Sequence, residues 1–121
     1  MSSTERNRQS LNDLIEHLLT GRLMDGFEKY YAESCVLSEN GDPAQTREGK
    51  EVNRQYESYF AANAEWFGAR LGPVIADGDT TAYEMWMDFT INGQRVTRTQ
   101  WAVQQWDEAG QIVKETFFYA A

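Results

Sequence analysis

Apolar residues recur every three or four positions in the first half of the chain and every second position after Trp66. Leu11, Leu14, Ile15, Leu18 and Leu19 keep the spacing of one buried helical stripe, with Gly21 as a natural stop behind it. A short second helix is expected from Leu23 to about Tyr31, with Phe27, Tyr30 and Tyr31 at helical spacing and Gly26 weakening it. Cys35-Val36-Leu37-Ser38 reads as a short strand, and Glu39-Asn40-Gly41-Asp42-Pro43 is dense enough in turn formers to be a loop. A third helix is expected from Gly49 to about Asn63, with Val52, Tyr56, Tyr59 and Phe60 spaced for one face.

The period then changes. A long strand is expected from Trp66 to about Ala76, interrupted at Gly72-Pro73, where proline cannot donate to a ladder and so marks a bulge or an edge. Asp77-Gly78-Asp79 turns the chain into a block of three strands running from Thr80 to Tyr119. Asn92-Gly93 is a strong signal for a two-residue hairpin, because both central positions must accept positive φ. Asp107-Glu108-Ala109-Gly110 makes the second turn. Helices followed by an antiparallel meander give an α+β fold, with three N-terminal helices packed on one face of a curved, mainly antiparallel sheet.

These turns predict a register, and the register sorts side chains. A two-residue turn at Asn92-Gly93 sets Ile91 opposite Gln94, Phe89 opposite Val96, Met87 opposite Arg98 and Met85 opposite Gln100. A four-residue loop at 107–110 sets Trp106 opposite Gln111, Gln104 opposite Val113 and Ala102 opposite Glu115. One face then collects Tyr83, Met85, Met87, Phe89, Val96, Arg98, Gln100, Ala102, Gln104, Val113, Glu115, Phe117 and Tyr119. Its apolar density suits the side under the helices, yet Arg98, Gln100, Gln104 and Glu115 are too many polar groups for a dry core. A partly solvated pocket accounts for them, lined by Tyr31, Tyr56, Phe60, Met85, Met87, Phe89, Arg98, Gln100 and Phe117. A purely structural Arg98–Glu115 ion pair is the competing reading. The other face carries Ile112 and Lys114 together with Trp86, Trp101, Val103 and Phe118, large apolar groups that suit a homodimer contact.

At 121 residues, 41% hydrophobic and 25% charged, the chain reads as one ordinary globular domain over 1–121. A net charge of −8, with its 11 basic residues scattered, argues against nucleic acid and anionic membranes as partners. The polar start and the lack of any long apolar run give the expectation of a cytoplasmic protein. Cys35 is the only cysteine and reads as a buried thiol in a reducing compartment. With one histidine, His17 on the flank of the first stripe, no His/Cys metal site is expected, and no phosphate-cradling loop is present. The chemistry expected is therefore free of cofactors.

The order of several short segments resembles the nuclear transport factor 2-like superfamily, in particular its SnoaL-like and ketosteroid-isomerase-like branch. The segments are Gly26-Phe27 with Tyr30-Tyr31-Ala32-Glu33, Val36 to Gly41, Gly49-Lys50-Glu51-Val52, Ala76 to Asp79 and Trp106 to Val113. The resemblance implies a cone-shaped α+β barrel with a pocket between helices and concave sheet, usually dimeric through the outer sheet face. It implies a carboxylate base at Glu39, the position that bears it in ketosteroid isomerases. Their oxyanion-holding tyrosine and protonated aspartate fall at Leu14 and Ala102, so steroid isomerisation itself is not expected. The acid/base aspartate of the SnoaL-type polyketide cyclases falls at Phe117, with Glu115 one pocket-facing step earlier. The Asp-Arg-Asp set of limonene-epoxide hydrolases is only loosely imitated by Glu39, Arg98 and Glu115.

Two functions follow as expectations. One is a cofactor-free isomerase, cyclase or hydrolase acting on a small, mostly apolar or carbonyl-containing ligand, with Glu39 or Glu115 as catalytic base and Arg98 or Gln100 orienting the ligand. The other is a non-catalytic ligand-binding or dimerisation domain, in which the same polar groups satisfy one another.

Overall fold

A computed structural model describes residues 2–120, so Met1 and Ala121 of the expected 1–121 domain lie outside the described residues. The elements in chain order are α1 (Ser3–Leu19), α2 (Leu23–Tyr30), β1 (Tyr31–Glu39), a 3₁₀ turn (Pro43–Gln45), β2 (Thr46–Glu48), α3 (Lys50–Asn63), β3 (Glu65–Asp77), β4 (Thr80–Ile91), β5 (Gln94–Trp106) and β6 (Ile112–Phe118). The strands form one sheet in the order β2-β1-β6-β5-β4-β3, antiparallel throughout except for the β1–β6 pair. The sheet curves like a cone without closing, and β2 and β3 are its edges. This is the α+β arrangement read from the sequence.

The first helix begins well before its apolar stripe. Ser2 accepts a hydrogen bond from the Glu5 amide at 3.2 Å and caps it. Its N-terminal half then docks through polar groups. The buried Asn7 donates to the Gly78 carbonyl at 2.9 Å, Thr4 Oγ1 accepts from the Gly78 amide at 2.8 Å, and Arg6 donates to the carbonyls of Asp107 and Glu108. Two hairpin turns are thus tied to α1. The contacts are hydrogen bonds, so apolar periodicity does not report them.

Gly26 has a packing role rather than a weakening one. A Cβ there would lie 2.9 Å from Leu14 Cδ1 and 3.0 Å from His17 Cβ, so its absence lets α1 and α2 approach closely. His17 is correspondingly buried, with Nδ1 2.7 Å from the Asp13 carbonyl oxygen.

The Asn92-Gly93 hairpin has both residues at positive φ, 52° and 78°, and the β4–β5 register pairs the residues as expected. The chain also breaks register between Leu71 and Val74, where Gly72-Pro73 interrupts the edge strand. Five expectations are corrected. Strand β1 starts at Tyr31 rather than Cys35, and β2 pairs with it where no strand was expected. On the β5–β6 pair Gln104 faces Glu115 and Ala102 faces Phe117, a shift of two residues. A bulge beyond Gln105 pairs Trp106 with Ile112, so Ile112 is buried in the core and not on the outer face. Finally, the inner side of α3 is Lys50, Asn53, Glu57 and Phe60, while Val52 and Tyr59 are about half exposed. Lys50 and Asn53 are buried there because the Glu28 carbonyl and the carbonyls of Arg47 and Gly49 accept their protons, while Glu57 and Phe60 line a cavity between α3 and the sheet.

Candidate active site

The cavity between the helices and the inner sheet face has a volume of about 750 Å³. Tyr31, Tyr56, Phe60, Met85, Met87, Phe89, Arg98, Gln100 and Phe117 all line it, as do Glu39, Arg47, Glu57, Tyr83 and Tyr119. Aromatic packing shapes the wall: Phe27 stacks on Tyr31 with centroids 4.8 Å apart, and Phe60 meets Phe89 edge-on at 5.2 Å. The methionines of β4 supply an adaptable apolar surface beside them.

Glu115 lies beneath this wall, 1% exposed, and does not line the cavity itself. Both carboxyl oxygens receive donors. Tyr31 donates its hydroxyl to Oε1, and Gln104 Nε2 donates to Oε2 at 2.7 Å. The Gln104 carbonyl oxygen accepts from Thr81 Oγ1 at 2.8 Å, and Thr81 Oγ1 accepts from Trp106 Nε1 at 2.8 Å. Burial raises the Glu115 carboxyl to about 7, although the hydrogen bonds from Tyr31 and Gln104 favour its ionised form. The Tyr31 and Tyr83 hydroxyls are pushed well above the usual phenol range, first by burial and then by the Glu115 charge. Around neutrality the carboxyl is therefore the member of this cluster that titrates.

Glu39, at the end of β1, is held differently. Its Oε2 pairs with Arg47 Nη2 at 3.3 Å, and its Oε1 accepts from the Tyr119 hydroxyl at 3.1 Å. Arg47 is itself fixed: Nε donates to Asn53 Oδ1 at 3.2 Å, and the guanidinium lies 3.7 Å from the Tyr56 ring centroid. The buried Asn53 amide donates to the carbonyls of Arg47 and Gly49, which binds β2 to the start of α3. Both Glu39 oxygens are thus occupied, and the carboxylate is committed to its arginine. Arg98 makes no ion pair with Glu115. It packs over Tyr119 at 4.0 Å, and among the described residues it meets no carboxylate.

Two cavity-lining carboxyls lack such a commitment: Asp25, which is exposed in the first turn of α2, and the partly buried Glu57 on α3, which the apolar pattern did not single out. Glu57 follows Tyr56 and precedes Phe60 by three positions, so its place on the cavity side is readable once the face is known. Part of its surface opens to the cavity, yet the surrounding walls shield it from bulk water. Among the described residues its carboxyl has no hydrogen-bond partner. Desolvation raises it to about 7, helped by the negative charge of Glu115 and opposed by Arg47. Two carboxyls on different elements, coupled through space, therefore titrate in the same range.

On the outer face, Trp101 lies between Glu84 and Phe118, Val103 between Ala82 and Thr116, and Ile75 beside Ala82. Trp86 is partly covered by the Arg70 guanidinium at 4.4 Å, whereas Ile75 and Phe118 are about half exposed. Among the described residues no group of three His, Cys, Asp or Glu is placed to hold a metal ion, and no helix is long and apolar enough to cross a membrane.

Solved structures with the same fold include a candidate SnoaL-like polyketide cyclase from Mesorhizobium loti, 28% identical, covering 98% of this chain and 100% of that one, with a TM-score of 0.81. An LEH-like epoxide hydrolase from M. tuberculosis is 14% identical over 97% of this chain and 84% of its own, with a TM-score of 0.79. A candidate isomerase from Bacillus subtilis is 17% identical over 99% and 90%, with a TM-score of 0.78. No curated protein matches the sequence. The model of the SnoaL-like domain matches residues 11–115. The chain belongs to the SnoaL-like domain family, within the nuclear transport factor 2-like superfamily.

Proposed function

We propose that this protein is a cofactor-free acid–base enzyme that moves a proton on a small, mostly apolar, carbonyl-containing ligand, with Glu57 as the base. The observation that carries the reading is a cavity-facing carboxyl with no hydrogen-bond partner among the described residues, set in an apolar cavity of about 750 Å³ and raised to about 7. A general base is most effective when its midpoint lies near the working pH, and burial supplies that shift here. Glu39, the position suggested by family likeness, is the less available to a ligand because Arg47 and Tyr119 already occupy its two oxygens. The relatives are named for a cyclisation, an epoxide hydrolysis and an isomerisation, reactions that a positioned acid–base pair serves. Arg98 and Gln100 are the polar groups on the sheet wall that would orient the ligand. The outer face with Trp86, Trp101, Val103 and Phe118 is proposed as a homodimer contact, since aromatic groups concentrate at interface cores.

The test is proton exchange at the activated carbon of 2-tetralone in deuterated buffer, followed by NMR. The wild type is expected to exceed the buffer rate, and Glu57→Gln to lose roughly 10²–10⁴-fold of the acceleration. Binding without exchange would favour a non-catalytic ligand-binding domain, and a Glu57→Gln variant as fast as wild type would remove Glu57 from the role.

A further inference from the structure

We propose that the hydrogen-bond chain Trp106–Thr81–Gln104 steers a proton on Glu115 to the oxygen beside Tyr31, and so turns the Tyr31 hydroxyl into a donor toward the cavity. This inference deepens the function proposed above and rests on it. The indole Nε1–H at the far end can only donate, so it sets the polarity of the whole chain. Thr81 Oγ1 accepts from the indole, and the Gln104 side-chain oxygen at 2.8 Å is the acceptor that the described residues offer its own proton. That contact leaves the Gln104 amide nitrogen facing Glu115 Oε2 at 2.7 Å, so Oε2 is always met by a donor. A proton on Glu115 therefore resides on Oε1, which faces Tyr31.

The consequence is a two-position device. When Glu115 is ionised, Tyr31 donates to it and offers the cavity only lone pairs. When Glu115 is protonated, Oε1–H donates to the Tyr31 oxygen, and the phenolic hydrogen turns toward the cavity that Tyr31 lines. The ligand class this suits is an apolar molecule with a neutral oxygen acceptor, a ketone above all. The step balances as follows. Glu57 takes the proton from the carbon next to the carbonyl, the C–H pair forms a carbon–carbon double bond, and the carbonyl π pair moves to oxygen. That oxygen takes the Tyr31 proton as the Tyr31 oxygen takes the one from Glu115 Oε1. One proton thus sits on Glu115 before the step and one on Glu57 after it. Return of the Glu57 proton to the same carbon, as the enol oxygen hands its proton back through Tyr31 to Glu115 Oε1, regenerates the ketone with its α-hydrogen exchanged. The charged or titratable groups facing Glu115 are Tyr31, Cys35 and Glu39 of β1, Arg47 of β2, Glu57 of α3 and Tyr83 of β4.

The experiment is the infrared carbonyl band of bound 2-tetralone across about pH 5 to 9. In the wild type the band is expected at lower frequency in acid and to move back as Glu115 ionises. Tyr31→Phe removes the low-frequency position at every pH. In Glu115→Gln the amide at that position donates to Tyr31 while its oxygen accepts from Gln104, so the low-frequency position becomes independent of pH. A wild-type band that does not move with pH overturns the proposal without any substitution, and so does a Glu115→Gln band that keeps the wild-type dependence. Loss of proton exchange in Glu57→Gln together with a pH-independent wild-type band would overturn this inference and leave the proposed function standing. A shifting band with exchange unchanged in Glu57→Gln would do the reverse.

Discussion

Gln104 stands directly across from Glu115 on the β5–β6 pair and donates its side-chain amide to Glu115 Oε2 at 2.7 Å. The contact exists because the two strands pair two residues away from the simplest hairpin register, which would have set Val113 opposite Gln104. A buried carboxyl is thereby given a fixed donor, and a buried amide is given a use for its nitrogen.

Replacing Gln104 by Leu is expected to leave Glu115 Oε2 without its donor and the Thr81 hydroxyl without its acceptor, and to destabilise the fold by about 1–3 kcal/mol in urea titration. The lost donor favoured the ionised carboxyl, so the Glu115 midpoint should rise above about 7.

The two raised carboxyls also make stability fall as pH rises. Glu57 and Glu115 move from an ordinary 4.5 to about 7 in the fold, so between those values the native state holds protons that the unfolded chain has released. Their stabilising contribution is complete below about 4.5 and is lost through about 7. Glu57→Gln should match wild type near pH 5 and exceed it by roughly 1–3 kcal/mol near pH 8. Chemical denaturation at the two pH values checks the sign. Asp13, Glu28 and Asp88 are lowered by their hydrogen-bonded partners, Tyr30, Arg54 and Arg95 respectively, and act oppositely, at more acid pH.

Gly26→Ala should destabilise despite the better helix propensity of alanine. The added methyl would sit 2.9 Å from Leu14 Cδ1 and 3.0 Å from His17 Cβ, and the helix pair must open to admit it. A net loss of about 1–2 kcal/mol is expected, because overpacking costs more than the ~1 kcal/mol that propensity returns.

How far the sequence speaks depends on which contacts carry the information. The β4–β5 register was legible because Asn92-Gly93 leaves only one tight turn, at φ values few other residues accept. The β5–β6 register was not, because a bulge beyond Gln105 changes the count after the loop. Face assignments for Glu115 and Phe117 survived, since a shift of two preserves alternation, whereas Ile112 moved to the core. Strand β2 is Thr46-Arg47-Glu48, too short and too polar to show a period. The wall of the candidate site was readable from β4 and β5. Glu57 was hidden because a glutamate in a helix beside Tyr56 and Tyr59 looks like solvent-facing polarity, while the apolar residues Val52 and Tyr59 occupy the more exposed side.

If the outer face joins two copies, Phe118→Glu or Trp101→Glu should halve the sedimenting mass without loss of the far-ultraviolet circular dichroism of the fold. The two residues share one row across β5 and β6, so a charge at either desolvates unfavourably in a contact centred there. An unchanged mass in both variants would move the interface elsewhere.

The most direct measurement is the carboxyl-carbon NMR titration of Glu57 in the wild type and in Glu115→Gln. A midpoint near 7 that falls when the Glu115 charge is removed is the predicted result, because burial and that charge together hold it up. A Glu57 midpoint near 4.5, unmoved by the substitution, would contradict the assignment of Glu57 as a poised base.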